Sequence, residues 1–159
     1  GWESARSGFG EQAVFSFDQP ISLNAFVVDT YLHRLNAPLS CHLFGLAPEH
    51  DLLDSMRSIP RWSIQFENGN QVVPDDFQAY MQDRRYATAG EDWPDEFIIH
   101  LDHSRGDHWQ PLLPFQALKP DTYHRFETFE TTGWFQHLLF LHYPNGGIHG
   151  LKAFGDYQS

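Results

Sequence analysis

The chain has 159 residues, of which 41% are hydrophobic and 16% aromatic, so we expect it to bury one sizeable core rather than stay disordered. Its formal net charge of −11 comes from 21 acidic residues against 10 basic ones, so a nucleic-acid backbone or an anionic membrane would be repelled. These values predict a single domain, residues 1–159, without a nucleic-acid or membrane partner.

The one cysteine, Cys41, cannot form an internal disulfide. No apolar run approaches the roughly 20 residues that cross a bilayer, and we expect the protein in the reducing cytoplasm. Cys41 and His42 are neighbours in a predicted strand, so their side chains point to opposite faces and cannot form a thiol–imidazole pair. We interpret Cys41 as a buried apolar side chain.

Most apolar segments are short, rich in aromatic or β-branched residues and separated by Pro, Gly, Asn or Asp, which is typical of strands joined by turns. Helical spacing is confined to the middle of the chain. In chain order the predicted elements are strands Gln12–Phe17, Ser22–Thr30 and Leu39–Leu46, helix Pro48–Arg57, strand Trp62–Phe66, helix Asp75–Arg85, and strands Glu96–Leu101, His124–Glu130, Trp134–Tyr143 and Ile148–Phe154.

The last two predicted strands flank the segment Pro144-Asn145-Gly146-Gly147, whose residues tolerate positive φ and favour a tight hairpin. Eight short strands with turn signals between them are typical of a two-sheet sandwich. The predicted fold is therefore an all-β jelly-roll sandwich with a short helical insertion.

Four separated stretches resemble one repeat of the allantoicase family, and their order and outer spacing agree with it. The Leu-Leu-Pro and Tyr-Pro-Asn-Gly-Gly segments are the most specific parts. The stretches are Gly1 to Arg6, Val28-Asp29-Thr30 with Asn36-Ala37-Pro38, Trp109 to Pro114 with Leu118 to Asp121 and His124, and His137 with Tyr143 to Ile148 and Phe154-Gly155.

The resemblance implies a galactose-binding-like jelly roll and an amidinohydrolase that converts allantoate to ureidoglycolate and urea, with no cofactor. Allantoicases carry two such repeats in one chain, whereas this chain holds one, so either the second repeat is absent or a homo-oligomer takes its place. A segment of about residues 47–108 is several tens of residues longer than the family usually has. An insertion of that size can act as a lid or an oligomer contact.

The family-like stretches also supply the predicted site residues, because hydrolysis of a C–N bond needs a base, a cation and amide groups. A structural alternative stays open for several of them: Asp29 could bond to turn amides, and Glu3 could pair with Arg6. The predicted catalytic residues are His137, His124, Asp29 and Glu3, and the predicted substrate-binding residues are Arg6, Asn36, Leu139, Leu141 and Asn145.

Several positions depart from the family pattern. Leu139 and Leu141 stand where the family typically has Arg and Asn, and Gly150 stands where it has another Arg. Ala5 and Ser7 likewise replace Arg. Because side chains two apart in a strand share a face, the face that carries His137 has lost polar groups, and the resemblance then implies a ligand less polar than allantoate.

The chain has ten histidines, which are common metal ligands. The potential ligands that lie close in sequence are His100, Asp102, His103, Asp107 and His108. Their spacing matches no recognised metal motif, so we predict a solvated loop and no metal.

The tryptophans allow two interpretations. Trp62, Trp93 and Trp109 could form a stacking platform for a flat ligand, although core packing explains them equally well. Trp2 and Trp134 lie in strand-like or family-like stretches and are interpreted as core residues.

Three functions fit these patterns. The first is a small-molecule enzyme, either a ureido or amidine hydrolase or a diverged relative with a less polar biosynthetic substrate. The second is a non-catalytic module that binds a carbohydrate or another ligand, since a fold does not determine a function. The third is an inactive structural subunit. A closed cavity with His137 and Asp29 side by side would favour the enzyme, and exposed aromatic residues without a pocket would favour the binding module.

Overall fold

The computed structural model describes residues 2–3, 11–33, 38, 40–57, 61–66, 71–72, 97–102, 108–143 and 147–158. It confirms an all-β jelly-roll sandwich with a short helix. In chain order the elements are β1 (Trp2–Glu3), β2 (Glu11–Asp29), β3 (Ser40–Leu46), α1 (Leu52–Met56), β4 (Arg61–Phe66), β5 (Gln71–Val72), β6 (Phe97–Asp102), β7 (Trp109–Ala117), β8 (Tyr123–Phe126), β9 (Phe135–Tyr143), β10 (Gly147–Ile148) and β11 (Gly150–Tyr157).

The long strand β2 contributes to both layers of the sandwich. Its first part pairs with β9, its last part pairs with β11 and β8, and the register shifts between Ser16 and Ile21. Pro20 lies in this interval and has no amide hydrogen to continue the ladder. The Phe26 ring lies 6.5 Å from the Phe15 ring and 5.8 Å from the Phe140 ring, so the second part of β2 folds back over the first. The two strands predicted here are one bent strand.

The first part of β2 forms one layer with β9, β3 and β7, and its central strands, β3 and β9, bury apolar side chains on both faces. Its inner face carries Leu43 and Phe140 into the main core, and its outer face buries Phe44 and Leu139 completely. Both sides of these strands therefore exclude water, which explains why their sequences are nearly continuous apolar runs.

Helix α1 lies against the outer face of this layer. Trp109 is paired with Leu46, which places the indole on the outer face, and its N–H donates to the carbonyl of Ser55 at 2.9 Å. The Asp51 carboxylate caps the helix by accepting the N–H of Asp54. The helix predicted at Pro48–Arg57 is thus shorter than expected, and the helix predicted at Asp75–Arg85 falls outside the described residues.

Strand β7 was not predicted, because Pro111 and Pro114 interrupt its pattern. Among the described strands it pairs only with β3, and the register shifts on either side of Leu43. Proline is tolerated at a sheet edge, where its missing N–H would face away from the ladder. The edge position of β7 therefore explains why a segment with two prolines forms a strand, although its local sequence pattern did not predict one.

The insertion predicted at about residues 47–108 contains α1 and a three-stranded antiparallel sheet in the order β5-β4-β6. Two of these strands correspond to the predictions at Trp62–Phe66 and Glu96–Leu101. Within the part of the chain that the structure describes, no helix is long and apolar enough to cross a membrane.

Candidate functional site

Three chain segments meet at one end of the sandwich, and we call them the loop cluster: residues 29–33, 119–122 and 147–149. Thr30 is fully buried at their centre. Its hydroxyl donates to the carbonyl of Lys119 at 2.6 Å and accepts the N–H of Thr122 at 3.0 Å. Its own N–H donates to the carbonyl of Thr122 at 2.9 Å. One buried threonine therefore joins two loops that lie about 90 residues apart in sequence.

Two non-glycine residues of the loop cluster have left-handed backbone conformations, Leu32 with φ of 67° and Asp121 with φ of 49°. They stabilise each other. The Asp121 carboxylate accepts the N–H of Leu32 at 2.9 Å, and the N–H of Asp121 donates to the carbonyl of His33 at 3.2 Å. Such conformations persist only where surrounding contacts impose them, and they concentrate at functional sites.

Asp29 is half-buried at the base of the loop cluster. One carboxylate oxygen accepts the N–H of Tyr31 at 3.0 Å, and its backbone carbonyl accepts the N–H of His149 at 2.8 Å. The first contact is a bond to a turn amide, which is the structural role that the sequence left open for Asp29. Within the described residues, the second carboxylate oxygen has no hydrogen-bond donor.

An aromatic and two imidazole side chains belong to the same loop cluster. Tyr31 is 52% exposed, and its ring meets the edge of the His149 ring at 5.3 Å. His33 lies over Gly147, where an added β-carbon would come within 2.0 Å of the imidazole. The sequence marked the neighbouring stretches as family-like but did not assign roles to Tyr31, His33, Asp121 or His149, because only the folded loops bring them together.

The imidazole of His124 connects strand β2 to the loop cluster. Its Nε2 accepts the N–H of Lys119 at 2.9 Å, and its Nδ1 lies 2.9 Å from the carbonyl of Val28. Because an amide can only donate, Nε2 carries no hydrogen, and Nδ1 is the donor to Val28. Both ring nitrogens are thus occupied by backbone groups. A role of His124 in proton transfer stays a prediction and would require one of these bonds to open.

His137 does not lie beside Asp29. It precedes Tyr143 by six residues in β9, about 20 Å along an extended strand, whereas Gly147 of the loop cluster follows Tyr143 closely. His137 lies opposite Ser16, with Nδ1 2.7 Å from the Ser16 hydroxyl. Partial burial lowers its pKa, so the neutral imidazole is favoured. The sequence did not indicate Ser16, because the pairing of β2 with β9 is long-range.

The other predicted site residues divide into three groups. Leu139 and Leu141 are fully buried on the outer face of β9. The backbone of Glu3 pairs with Gly147, which brings it next to the loop cluster. Arg6, Asn36 and Asn145 lie outside the described residues.

Histidines and tryptophans elsewhere make other contacts. His108 stacks on His50 with ring centroids 4.1 Å apart, and no group of three metal-ligating side chains occurs within the described residues. Trp109 is 3% exposed and so belongs to the core, whereas Trp134 is 39% exposed. The interpretation of Trp134 as a core residue is therefore wrong.

A groove of about 470 Å³ lies between β7 and the segment that follows β8. Leu113, Phe126 and Phe129 provide apolar walls, and Arg125 forms an ion pair with Glu127 at 2.7 Å on its rim. None of the predicted site residues lines it.

Comparison with known proteins gives one finding. A family model described as the allantoicase repeat matches residues 1–158. The match thus includes the insertion and extends beyond the four stretches that carry the resemblance. No curated protein and no solved structure gives a significant match.

Proposed function

This chain belongs to the allantoicase family, and from that membership we propose that it is a small-molecule hydrolase that cleaves a C–N bond of a ureido or amidine group. The observation that supports this proposal is the meeting of Asp29, Tyr31, His33 and His149 in the loop cluster. We place the substrate there.

The loop cluster contains a carboxylate, an imidazole and an aromatic ring that such a hydrolysis can use. The second carboxylate oxygen of Asp29 accepts an N–H of the planar ureido or amidine group. The exposed His149 imidazole takes a proton from the attacking water and returns one to the departing nitrogen, so that carbon gains hydroxide and nitrogen gains hydrogen. The exposed ring of Tyr31 packs against the flat face of the substrate.

The surroundings of Asp29 favour a substrate less polar than allantoate. Gly150 lies directly opposite Asp29 and provides no cation where the family typically has Arg. The carboxylate of allantoate would therefore lack this partner and would face an acidic protein. We propose a ureido or amidine compound without a carboxylate, and the buried Leu139 and Leu141 agree with a general loss of polar groups.

The experiment measures release of urea or ammonia from a panel of ureido and amidine compounds, with and without carboxylates. We expect turnover of the members without a carboxylate, and a loss of at least tenfold in kcat for His149→Gln and in kcat/KM for Asp29→Asn. Asp54→Asn, an exposed carboxylate on α1, is the matched control and should behave as the wild type. An ordinary enzymatic rate on allantoate would refute the substrate preference.

A role for His137 is a separate prediction, since it lies opposite Ser16 and Leu46, outside the loop cluster. His137→Asn should abolish activity with an unchanged Tm if this imidazole transfers protons. An equal loss of stability would instead place His137 among the structural residues.

A non-catalytic ligand-binding module is the second candidate, and one observation favours it. Tyr31 and Leu32 are 52% and 65% exposed on the same loop, which suits contact with a carbohydrate or another ligand. Such a module would show saturable binding by calorimetry, weakened by Tyr31→Ala, with no product formed from any compound of the panel.

A further inference from the structure

Strand β11 is an open sheet edge. It pairs with β2 and with no other described strand, and residues 152–157 are all exposed. It contains no proline, and the irregular step opposite Phe154 and Gly155 comes from an extra residue, Asn24, in β2. The edge strand β7, by contrast, contains two prolines that protect it. Natural proteins rarely leave a regular edge of this length unpaired.

The register shows which backbone groups of β11 face outward. The N–H of Gln158 donates to the carbonyl of Pro20, next to the pair of Tyr157 with Ile21. Tyr157 therefore belongs to a non-hydrogen-bonded pair, and its own N–H and carbonyl point away from β2. Since the direction of the backbone groups alternates along a strand, the N–H and carbonyl groups of Gly155, Ala153 and Leu151 also point away from β2.

We propose that β11 pairs antiparallel with β11 of a second copy of this chain, about a two-fold axis at Phe154. In this register Ala153 lies opposite the second copy's Gly155 and Leu151 opposite its Tyr157, so every outward-facing backbone group of the strand finds a partner. The same register places Lys152 of each copy opposite Asp156 of the other, so two ion pairs form, one on each side of the axis.

Charge complementarity selects this register. Two chains that each carry a net charge of −11 repel each other, so a stable contact needs local attraction. Shifting the axis by one residue places Lys152 opposite Phe154 or Gln158 and separates the ion pairs. Within one copy, Lys152 lies 5.7 Å from the Tyr123 ring centre, and Asp156 accepts the Asn24 side-chain amide at 3.1 Å. Both charges are therefore already held on the face they would share.

Aromatic contact adds to the ion pairs. Phe154 is 42% exposed although the Arg125 guanidinium lies over its ring at 5.2 Å. In the proposed dimer the two Phe154 side chains form a non-hydrogen-bonded cross-strand pair, the arrangement in which opposite side chains approach most closely. The tyrosine at position 157, 63% exposed in one copy, meets Leu151 of the other.

The first test is oxidative crosslinking of the intact chain. Cα atoms of a non-hydrogen-bonded pair lie about 4.5 Å apart, which suits a disulfide. Phe154→Cys should therefore form a covalent dimer rapidly. Lys152→Cys is the matched control, because two-fold symmetry keeps the two copies of position 152 apart, and it should crosslink at least tenfold more slowly. Equal rates would overturn the proposal.

The second test is a charge exchange followed by sedimentation and Tm measurements. Lys152→Asp and Asp156→Lys should each raise the dimer Kd at least tenfold, and the double variant should restore it. Ala153→Pro removes an outward-facing N–H without affecting the ladder to β2, so it should give a folded monomer. A wild-type chain that stays monomeric would overturn the proposal. A dimer that persists in the Ala153→Pro variant would also overturn it, because the contact would then lie on another face.

Discussion

Gly150 lies directly opposite Asp29 where β11 pairs with β2, and nothing lies within 4 Å of the position that a β-carbon would take at Gly150. Opposite residues on one sheet face interact across about 5 Å. An arginine side chain at position 150 would therefore meet no steric obstacle at its β-carbon, and it would lie beside the Asp29 carboxylate.

The first prediction concerns Gly150→Arg. We expect a folded protein with a Tm close to that of the wild type, and at least tenfold tighter binding of carboxylate-bearing ureido compounds, because a cation enters the loop cluster. Isothermal calorimetry with allantoate measures the change. Gly150→Gln provides similar bulk without charge and should not tighten binding. A gain with both variants would show that size, and not charge, matters.

The second prediction contrasts Gly147→Ala with Gly155→Ala. At Gly147 the added methyl meets the His33 imidazole, a side chain that can move. At Gly155 it lies 2.2 Å from the backbone carbonyl of Ser22, which cannot move without disturbing the β11–β2 ladder. We expect the larger loss of unfolding free energy, about 2 kcal/mol or more, for Gly155→Ala. Gly147→Ala should mainly reduce activity or ligand affinity, and the reverse order would contradict this packing.

The third prediction concerns His124, whose two ring nitrogens bond to Lys119 and Val28. His124→Ala removes both bonds and leaves the part-buried carbonyl of Val28 and the exposed amide of Lys119 without these partners. The unfolding free energy should fall by about 1–3 kcal/mol in denaturant titrations. The exposed His149 is the matched control, and His149→Ala should cost less than about 0.5 kcal/mol. Equal effects would argue against a structural role for His124.

The fourth prediction concerns pH. Burial lowers the pKa of His137 in the folded state, so the unfolded chain takes up this proton first as the pH falls. Stability should therefore decrease as the pH falls through the unfolded value of about 6.5. Denaturant unfolding at several pH values should show a shallower decrease for His137→Gln than for the wild type. A steeper decrease in the variant would mean that the folded state favours the protonated ring.

The fifth prediction concerns Cys41. The thiol is fully buried, and burial raises its pKa far above the usual range, so the reactive thiolate is suppressed. Thiol reagents should leave the native protein unmodified and label Cys41 only at the rate of unfolding. Mass spectrometry with and without denaturant distinguishes the two states. Rapid labelling of the native protein would contradict the burial of this side chain.

The sequence predicted those features that depend on neighbouring residues. Short apolar segments separated by turn-forming residues indicated most strands, and Asn-Gly-Gly with its flanking residues indicated the family. The same reasoning did not find β7, because its prolines suit a strand at a sheet edge but not at a sheet centre. Whether a strand lies at an edge depends on its pairing with strands distant in sequence.

The candidate site depended much more on tertiary structure. His137 and Asp29 both lie in family-like stretches, yet their strand neighbours differ. His137 lies opposite Ser16 and Leu46, and Asp29 lies opposite Gly150 and Tyr123. The loop cluster contains Tyr31 and His149, which only folding brings together.

By itself the sequence determined the family and the all-β class, since turn-forming residues and short apolar segments are local signals. The predicted hairpin between the last two strands is wrong, because β2 lies between β9 and β11. Only the tertiary structure decided which faces are buried, how β2 bends and which residues meet in the loop cluster. The physical reason is that these features rest on long-range pairing: the left-handed backbone of Leu32 is held by a carboxylate 89 residues away.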